Sequence, residues 1–105
     1  MKRRLTSLAV LSALAVAAPA MAGSAAPIRG AKYLSMAHVT LAAARATALK
    51  NRPGTITDQE LEKEKGGSGL RYSFDIKSGG KGYEVGVDAK TGAVLENSAD
   101  GPHPD

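Results

Sequence analysis

The chain has 105 residues, which is enough for one domain. It carries a formal net charge of +4, but three of its 14 basic residues lie in the first four positions. Without them, 11 basic and 10 acidic residues leave a net charge of +1, so no basic patch suits the chain to nucleic acid. The chain has no cysteine, which excludes disulfides, Cys-ligated zinc, Fe–S clusters, thiol redox chemistry and a lipobox anchor.

Residues 1–22 have the pattern of a secretory signal peptide. They read "MKRRLTSLAVLSALAVAAPAMA", with a basic start, an apolar run and small residues before Ala22. The alternatives are a buried core helix or a membrane anchor, but the run is short for a membrane span, which needs roughly 20 residues. We therefore expect cleavage after Ala22, no membrane span in the mature chain, and a location in the periplasm or outside the cell.

Residues 23–32 are predicted to form a flexible mature N-terminus, because small residues, Pro27 and Gly30 interrupt regular structure there. The stretch "AKYLSMAH" that begins at Ala31 fits a short strand or a helical turn, and we favour a short helical or irregular lead-in. A helix is predicted next. Thr40 is its N-cap, the alanines favour helix, and Pro53-Gly54 ends it. Its apolar stripe consists of Leu41, Ala44, Ala48 and Leu49.

Three strands are predicted after the helix, at about 55–64, 69–77 and 82–89, joined by glycine-rich hairpin turns. Ile56 and Leu61 have opposite parity, so we expect an irregularity near Thr57–Gln59. The turn lengths set a register that brings the apolar residues to one face. The expected pairs are Leu61–Tyr72, Ile76–Tyr83, Phe74–Val85 and Tyr72–Val87.

The same register predicts two features of the opposite face. Glu62, Arg71 and Asp88 would form an exposed ion-pair ladder. Asp75 would face Glu84, which is unfavourable unless Lys77 or a partner compensates. The fold class is therefore α+β, with one N-terminal helix packed on a three-stranded antiparallel β-meander. Val94 and Leu95 are expected to return to the core, and residues 97–105 to form a disordered tail.

The order of these segments resembles the PepSY domain, named for peptidase propeptides and the YpeB protein. The resemblance covers about residues 39–96, and a domain of residues 33–96 contains it. The matching positions are Val39, Thr40, Leu41, Ala44 and Ala48 in the helix, Glu60, Leu61 and Glu62, then Tyr72, Phe74 and Ile76 in the strands, and Tyr83, Glu84, Val85, Val87, Asp88, Thr91, Gly92 and Val94 at the end. Gly86 departs from the pattern and should weaken its strand. The resemblance implies a helix-on-sheet fold, an exported or membrane-associated setting and a role in restraining peptidases, with no catalytic residues.

The residues that could carry chemistry have simpler structural interpretations. His38 and His103 lie far apart in sequence, so a histidine metal site is not expected. Glu60, Glu62 and Glu64 share one strand face, which could meet a cationic partner or hold calcium weakly, but a solvated face is the simpler interpretation. Asp88 is expected to bond turn amides.

The sequence thus predicts a non-enzymatic, exported protein without a cofactor, which binds and inhibits peptidases of the cell envelope. The alternatives are a general protein- or peptide-binding envelope module without inhibitory activity, and a weak calcium-binding envelope protein. The predicted partner is a protein, which docks on an exposed edge, of either the 55–64 or the 82–89 strand. The residues of the candidate partner-binding face are Glu60, Glu62, Glu64, Arg71 and Glu84.

Overall fold

The structure is a computed structural model that describes residues 27–100. It contains a 3₁₀ helix (Ala31–Met36), helix α1 (Leu41–Asn51) and strands β1 (Thr55–Lys63), β2 (Leu70–Ser78), β3 (Lys81–Asp88) and β4 (Val94–Ala99). The strands form one antiparallel sheet in the order β1-β2-β3-β4. The predicted signal peptide, the start of the mature N-terminus, His103 and the end of the tail lie outside the described residues. Within residues 27–100, no helix is long and apolar enough to span a bilayer.

The α+β class is confirmed, but the sheet has four strands and not three. The fourth strand extends from Val94 through residues 97–99, which the sequence analysis assigned to the tail. Its sequence "VLENSA" places its two large apolar residues side by side, so it lacks the alternation that reveals a half-buried strand. Its backbone pairs with β3 instead, with Ser98 opposite Glu84 and Glu96 opposite Gly86.

Helix α1 forms where the sequence predicts it. The Thr40 hydroxyl accepts a hydrogen bond from the Ala43 amide at 3.1 Å, which caps the first turn. The helix ends at Asn51, just before Pro53. Ala44 and Ala48 are fully buried against the sheet, and their small side chains allow the backbone of α1 to approach β2, β3 and β4 closely.

The predicted register is confirmed at every pair named above. The predicted irregularity also occurs, as a shift in the β1–β2 pairing between Ile56 and Asp58. Because of this shift, Ile56 on one side and Leu61 on the other both pack towards the core. The core is formed by Ala44, Ala48, Leu61, Leu70, Tyr72, Phe74, Ile76, Val85, Val87 and Ala89.

The lead-in to α1 is helical, as expected, and it packs beside β1. Just before it, Arg29 forms a parallel bridge with Glu60 at the outer edge of β1. The Arg29 amide donates to the Gln59 carbonyl at 3.3 Å, and the Leu61 amide donates to the Arg29 carbonyl at 2.8 Å. Part of the segment predicted as a flexible N-terminus therefore pairs with the sheet.

Candidate binding surface

The sheet has two faces of opposite character. Helix α1 covers the apolar face, whereas no other element among residues 27–100 covers the opposite one, which we call the open face. Because side chains alternate along a strand, the open face carries the neighbours of the core residues. They are Asp58, Glu60 and Glu62 in β1, Arg71, Ser73, Asp75 and Lys77 in β2, Glu84, Gly86 and Asp88 in β3, and Glu96 and Ser98 in β4.

Four of the five residues predicted for the partner-binding face lie on the open face, namely Glu60, Glu62, Arg71 and Glu84. Glu64 lies beyond the end of β1, in the exposed turn to β2. The structure brings the other four residues onto one sheet, but it gives each of them a different environment.

The three glutamates do not act as one free row of carboxylates. The Glu60 carboxylate accepts a hydrogen bond from Arg29 at 3.0 Å, and that of Glu62 accepts one from the Ser73 hydroxyl at 2.7 Å. Among residues 27–100, no group of three or more histidine, aspartate or glutamate side chains could hold a metal ion. The geometry therefore gives no support to calcium binding by Glu60, Glu62 and Glu64.

The predicted exposed ladder is wrong, because Arg71 is buried and pairs with another strand. Only 8% of Arg71 is exposed, and its Nη1 lies 3.4 Å from Oε1 of Glu96 in β4. The side chain crosses β3 over Gly86, where an added Cβ would lie 3.1 Å from Arg71 Nη1. Gly86, which departs from the family pattern, thus leaves room for the buried Arg71 side chain and its ion pair with the partly exposed Glu96. The glycine was the one sequence signal that pointed to it.

Asp88 acts as a structural anchor. Its carboxylate is 1% exposed and accepts hydrogen bonds from the amides of Ser68, Lys90 and Thr91 and from the Ser68 hydroxyl, at 2.6 to 3.1 Å. Burial alone would raise the pKa of Asp88, but these four bonds outweigh it and lower the pKa to about 2. The expected role in the turn is confirmed, and Asp88 also ties the turn after β3 to the tip of the β1–β2 hairpin.

Four carboxylates lie near one another on the open face, one each on β2, β3 and β4 and one just after β4, and we call them the carboxylate cluster. Asp75 lies opposite Glu84, as predicted, and Glu84 lies opposite Ser98. Glu96 follows on β4, and the Asp100 side chain lies beside Gly82, 3.1 Å from where a Cβ would stand. Sequence analysis missed Glu96 and Asp100 because it did not predict β4.

The electrostatics of the cluster are unfavourable in the protein alone. Burial raises the pKa of Glu84, and the charges of Glu96, Asp75 and Asp100 raise it further. Burial and the charge of Asp100 likewise raise the pKa of Asp75, against a smaller opposing effect of Arg29. Asp75 and Glu84 therefore resist ionisation next to the neighbouring carboxylates, and a positively charged partner would relieve this repulsion.

The two edges of the sheet differ. The β1 edge is partly occupied by residues Arg29 and Gly30, and the Arg29 guanidinium also binds Asp58 and Glu60 at 2.6 and 3.0 Å. The 82–89 strand, which was predicted to offer an edge, is β3 and lies inside the sheet. The second edge is β4. The prediction that residues 82–89 form an edge is therefore wrong, because β4 pairs with the outer side of β3.

Comparison with known proteins gives one result. No curated protein and no solved structure matches the chain significantly. Residues 39–97 match the family described as the peptidase propeptide and YPEB domain, whose members are typically extracellular or associated with the cell envelope. This match spans more than half of the chain and includes α1 and most of the four-stranded sheet. The chain therefore belongs to the PepSY family.

Proposed function

We propose that this chain is an exported, non-catalytic PepSY protein that binds a peptidase of the cell envelope and restrains it. Membership of the family suggests a propeptide-like or regulatory module. The observation that carries the proposal is the open face, which is polar, rich in carboxylates and uncovered by any other element among residues 27–100. Arg71, Ser73 and Asp88 of this face are buried, but its glutamates are partly exposed and can meet a partner.

The buried polar groups support a scaffold and not a reactive centre. The Asp88 carboxylate is fully engaged by turn amides, and the Tyr72 hydroxyl donates to the Val39 carbonyl at 2.7 Å. His38 is exposed, in the loop between the 3₁₀ helix and α1, and so lies outside the strands that carry the carboxylate cluster. The bonds of Asp88 and Tyr72 hold the fold together and leave the surface carboxylates for non-covalent recognition.

The proposed location is the periplasm or the extracellular space. It rests on the signal-peptide pattern of residues 1–22 and agrees with the usual setting of the family. Determining the N-terminal sequence of protein recovered from the envelope and the medium tests this part, and the expected first residue is Gly23.

The function is tested with protein expressed from the full-length sequence, recovered after export and checked for folding by circular dichroism. Titrated into the peptidase activity secreted by the same cells, it is expected to inhibit in a saturable manner. Glu84→Lys and Glu96→Lys variants should inhibit less, whereas Glu64→Lys, outside the strands, should inhibit as the parent does. Absence of inhibition by the folded protein would contradict regulation and favour a general protein- or peptide-binding module.

A further inference from the structure

The strongest unused feature of the molecule is the outer edge of β4 beside the carboxylate cluster. We infer that this edge binds an extended segment of a partner protein that carries Lys or Arg at every second position. The segment pairs with β4 as a fifth strand and lays its basic side chains over the cluster. This deepens the proposed function, because it names the chemistry of the partner that the sheet recognises.

The backbone of β4 is available for such pairing. The Asp100 amide donates to the Gly82 carbonyl at 2.9 Å, so its backbone groups point towards β3. Because these directions alternate in an antiparallel ladder, the amides and carbonyls of Asn97 and Ala99 point away from the sheet. No described segment pairs with them. The opposite edge, by contrast, is occupied in its middle by Arg29.

The sequence of β4 does little to prevent pairing. Edge strands are commonly protected by proline, lysine or a bulge. "VLENSA" contains neither proline nor lysine, and its irregularity lies between the pairs of Gly86 and Val87, at the start of the strand. The regular part of β4, from Glu96 onwards, can therefore accept another strand.

The charge of the neighbouring surface specifies the side chains of that strand. Adjacent strands lie about 4.8 Å apart, so a Lys or Arg beside Ser98 can reach over it to Glu84. Glu96 and Asp100 lie on either side along the same edge. Arg71, whose side chain reaches Glu96 across β3, is buried and already paired with that carboxylate.

The other face of the added strand meets different groups. Asn97 lies on the helix side of the sheet, where its amide is bonded to Arg52 and Asn51, and Ala99 offers only a small side chain. That side suits small or uncharged residues. The two faces together select basic residues at alternate positions and not a continuous basic run.

The raised pKa values of Asp75 and Glu84 agree with this inference. Both carboxylates are partly desolvated and face each other across β2 and β3. Like charges directly opposite each other destabilise a sheet. A bound cation would turn this repulsion into attraction.

The first test measures binding of a synthetic peptide of about nine residues that alternates Lys and Thr. Calorimetry with the folded, exported protein is expected to show saturable binding that weakens as salt is raised. A Glu–Thr peptide of the same length should not bind. Glu84→Gln and Asp100→Asn should each weaken binding about two- to fivefold, whereas Glu64→Gln should leave it unchanged. Absence of saturable binding would overturn the inference.

The second test separates strand pairing from simple charge attraction. Two further peptides carry N-methyl groups on every Lys amide or on every Thr amide, so that each blocks hydrogen bonding from one edge only. Binding is expected to be lost with one of them and kept with the other. Equal binding by both would show that charge alone attracts the peptide, and would overturn pairing with β4.

These peptide measurements are independent of any peptidase. A protein that inhibits a peptidase but ignores the Lys–Thr peptide would keep the proposed function and lose this inference. A protein that binds the peptide at β4 but inhibits no peptidase would keep this inference and lose the proposed function.

Discussion

At the scale of single residues, the buried carboxylate of Asp88 is expected to make a large contribution to the free energy of unfolding. Its carboxylate satisfies three amides and one hydroxyl that would otherwise lack this acceptor. Asp88→Asn replaces one accepting oxygen with a donor, so we expect the free energy of unfolding to fall by about 2–3 kcal/mol. Urea denaturation measures the change.

The matched control is Ser68→Ala, which removes the hydroxyl but keeps the amide bond to Asp88. We expect it to cost about 1 kcal/mol. Equal stability of the parent and the Asp88→Asn variant would show that the anchor contributes nothing.

The same residue predicts how stability depends on acid. The folded state lowers the pKa of Asp88 to about 2, below its ordinary value of 3.8. The stabilisation is therefore complete above about pH 4 and is lost as the pH falls towards about 2, because the unfolded chain binds the proton first. The Asp88→Asn variant should show a shallower loss over this range in pH-dependent urea denaturation. Parallel curves would contradict the assignment.

The sequence predicts part of this arrangement. Asp88, Thr91 and Gly92 form a recognisable turn, so bonding of the carboxylate to turn amides could be inferred. The contact with Ser68 could not, because it joins turns that are 20 residues apart and depends on the packing of both hairpins.

At the scale of elements, the segment that occupies the β1 edge makes a second prediction. Gly30 has a φ of 83° and approaches β1 so closely that an added Cβ would lie 1.9 Å from the Leu61 carbonyl oxygen. Gly30→Ala should therefore detach Arg29 from β1. The Leu61 amide, which donates to the Arg29 carbonyl, should then exchange with solvent about tenfold faster.

Gly79→Ala is the matched control for this change. Gly79 also has a positive φ, of 59°, but an added Cβ would meet no atom within 4 Å. The Gly79→Ala substitution imposes a similar backbone strain without a steric clash, so the Leu61 amide should stay protected from hydrogen exchange. Slow exchange of that amide in the Gly30→Ala variant would show that this segment does not depend on a close approach at Gly30.

The elements differ in how clearly the sequence reveals them. Alternation and turn length were sufficient for the register of β1 to β3, and the opposite parity of Ile56 and Leu61 was sufficient for the irregularity in β1. β4 has no alternation, so it depends on the edge that β3 offers. The position of Arg29 likewise depends on tertiary structure, because nothing in a short glycine-containing segment indicates which strand it meets.

At the scale of the whole molecule, the unpredicted strand β4 changes the interpretation of the surface more than that of the fold. The helix, the core and the α+β class follow from local patterns. The candidate surface does not, because β4 turns β3 from an edge into an interior strand, buries Arg71 and completes the carboxylate cluster. Four of the five predicted surface residues share the open face, yet Glu96 and Asp100, on or just after β4, were missed.

The charges on this surface are expected to lower the free energy of unfolding, because Glu84 lies partly buried among other carboxylates. The pKa of Glu84 is raised above its ordinary value of 4.5 by burial and by neighbouring carboxylates. A raised pKa means that the folded state holds the proton more tightly. Ionisation of Glu84 therefore costs stability as the pH rises through that pKa.

Glu84→Gln should accordingly stabilise the protein, by about 0.2–1 kcal/mol near neutral pH, because the repulsion across β2 and β3 is removed. The gain should shrink as the pH falls below the raised pKa of Glu84, where the parent is itself neutral at this position. Urea denaturation at several pH values measures it, with the exposed Glu64→Gln as the control, which should change little. A Glu84→Gln variant less stable than the parent at neutral pH would contradict this prediction, because it would show that the charge of Glu84 stabilises the fold.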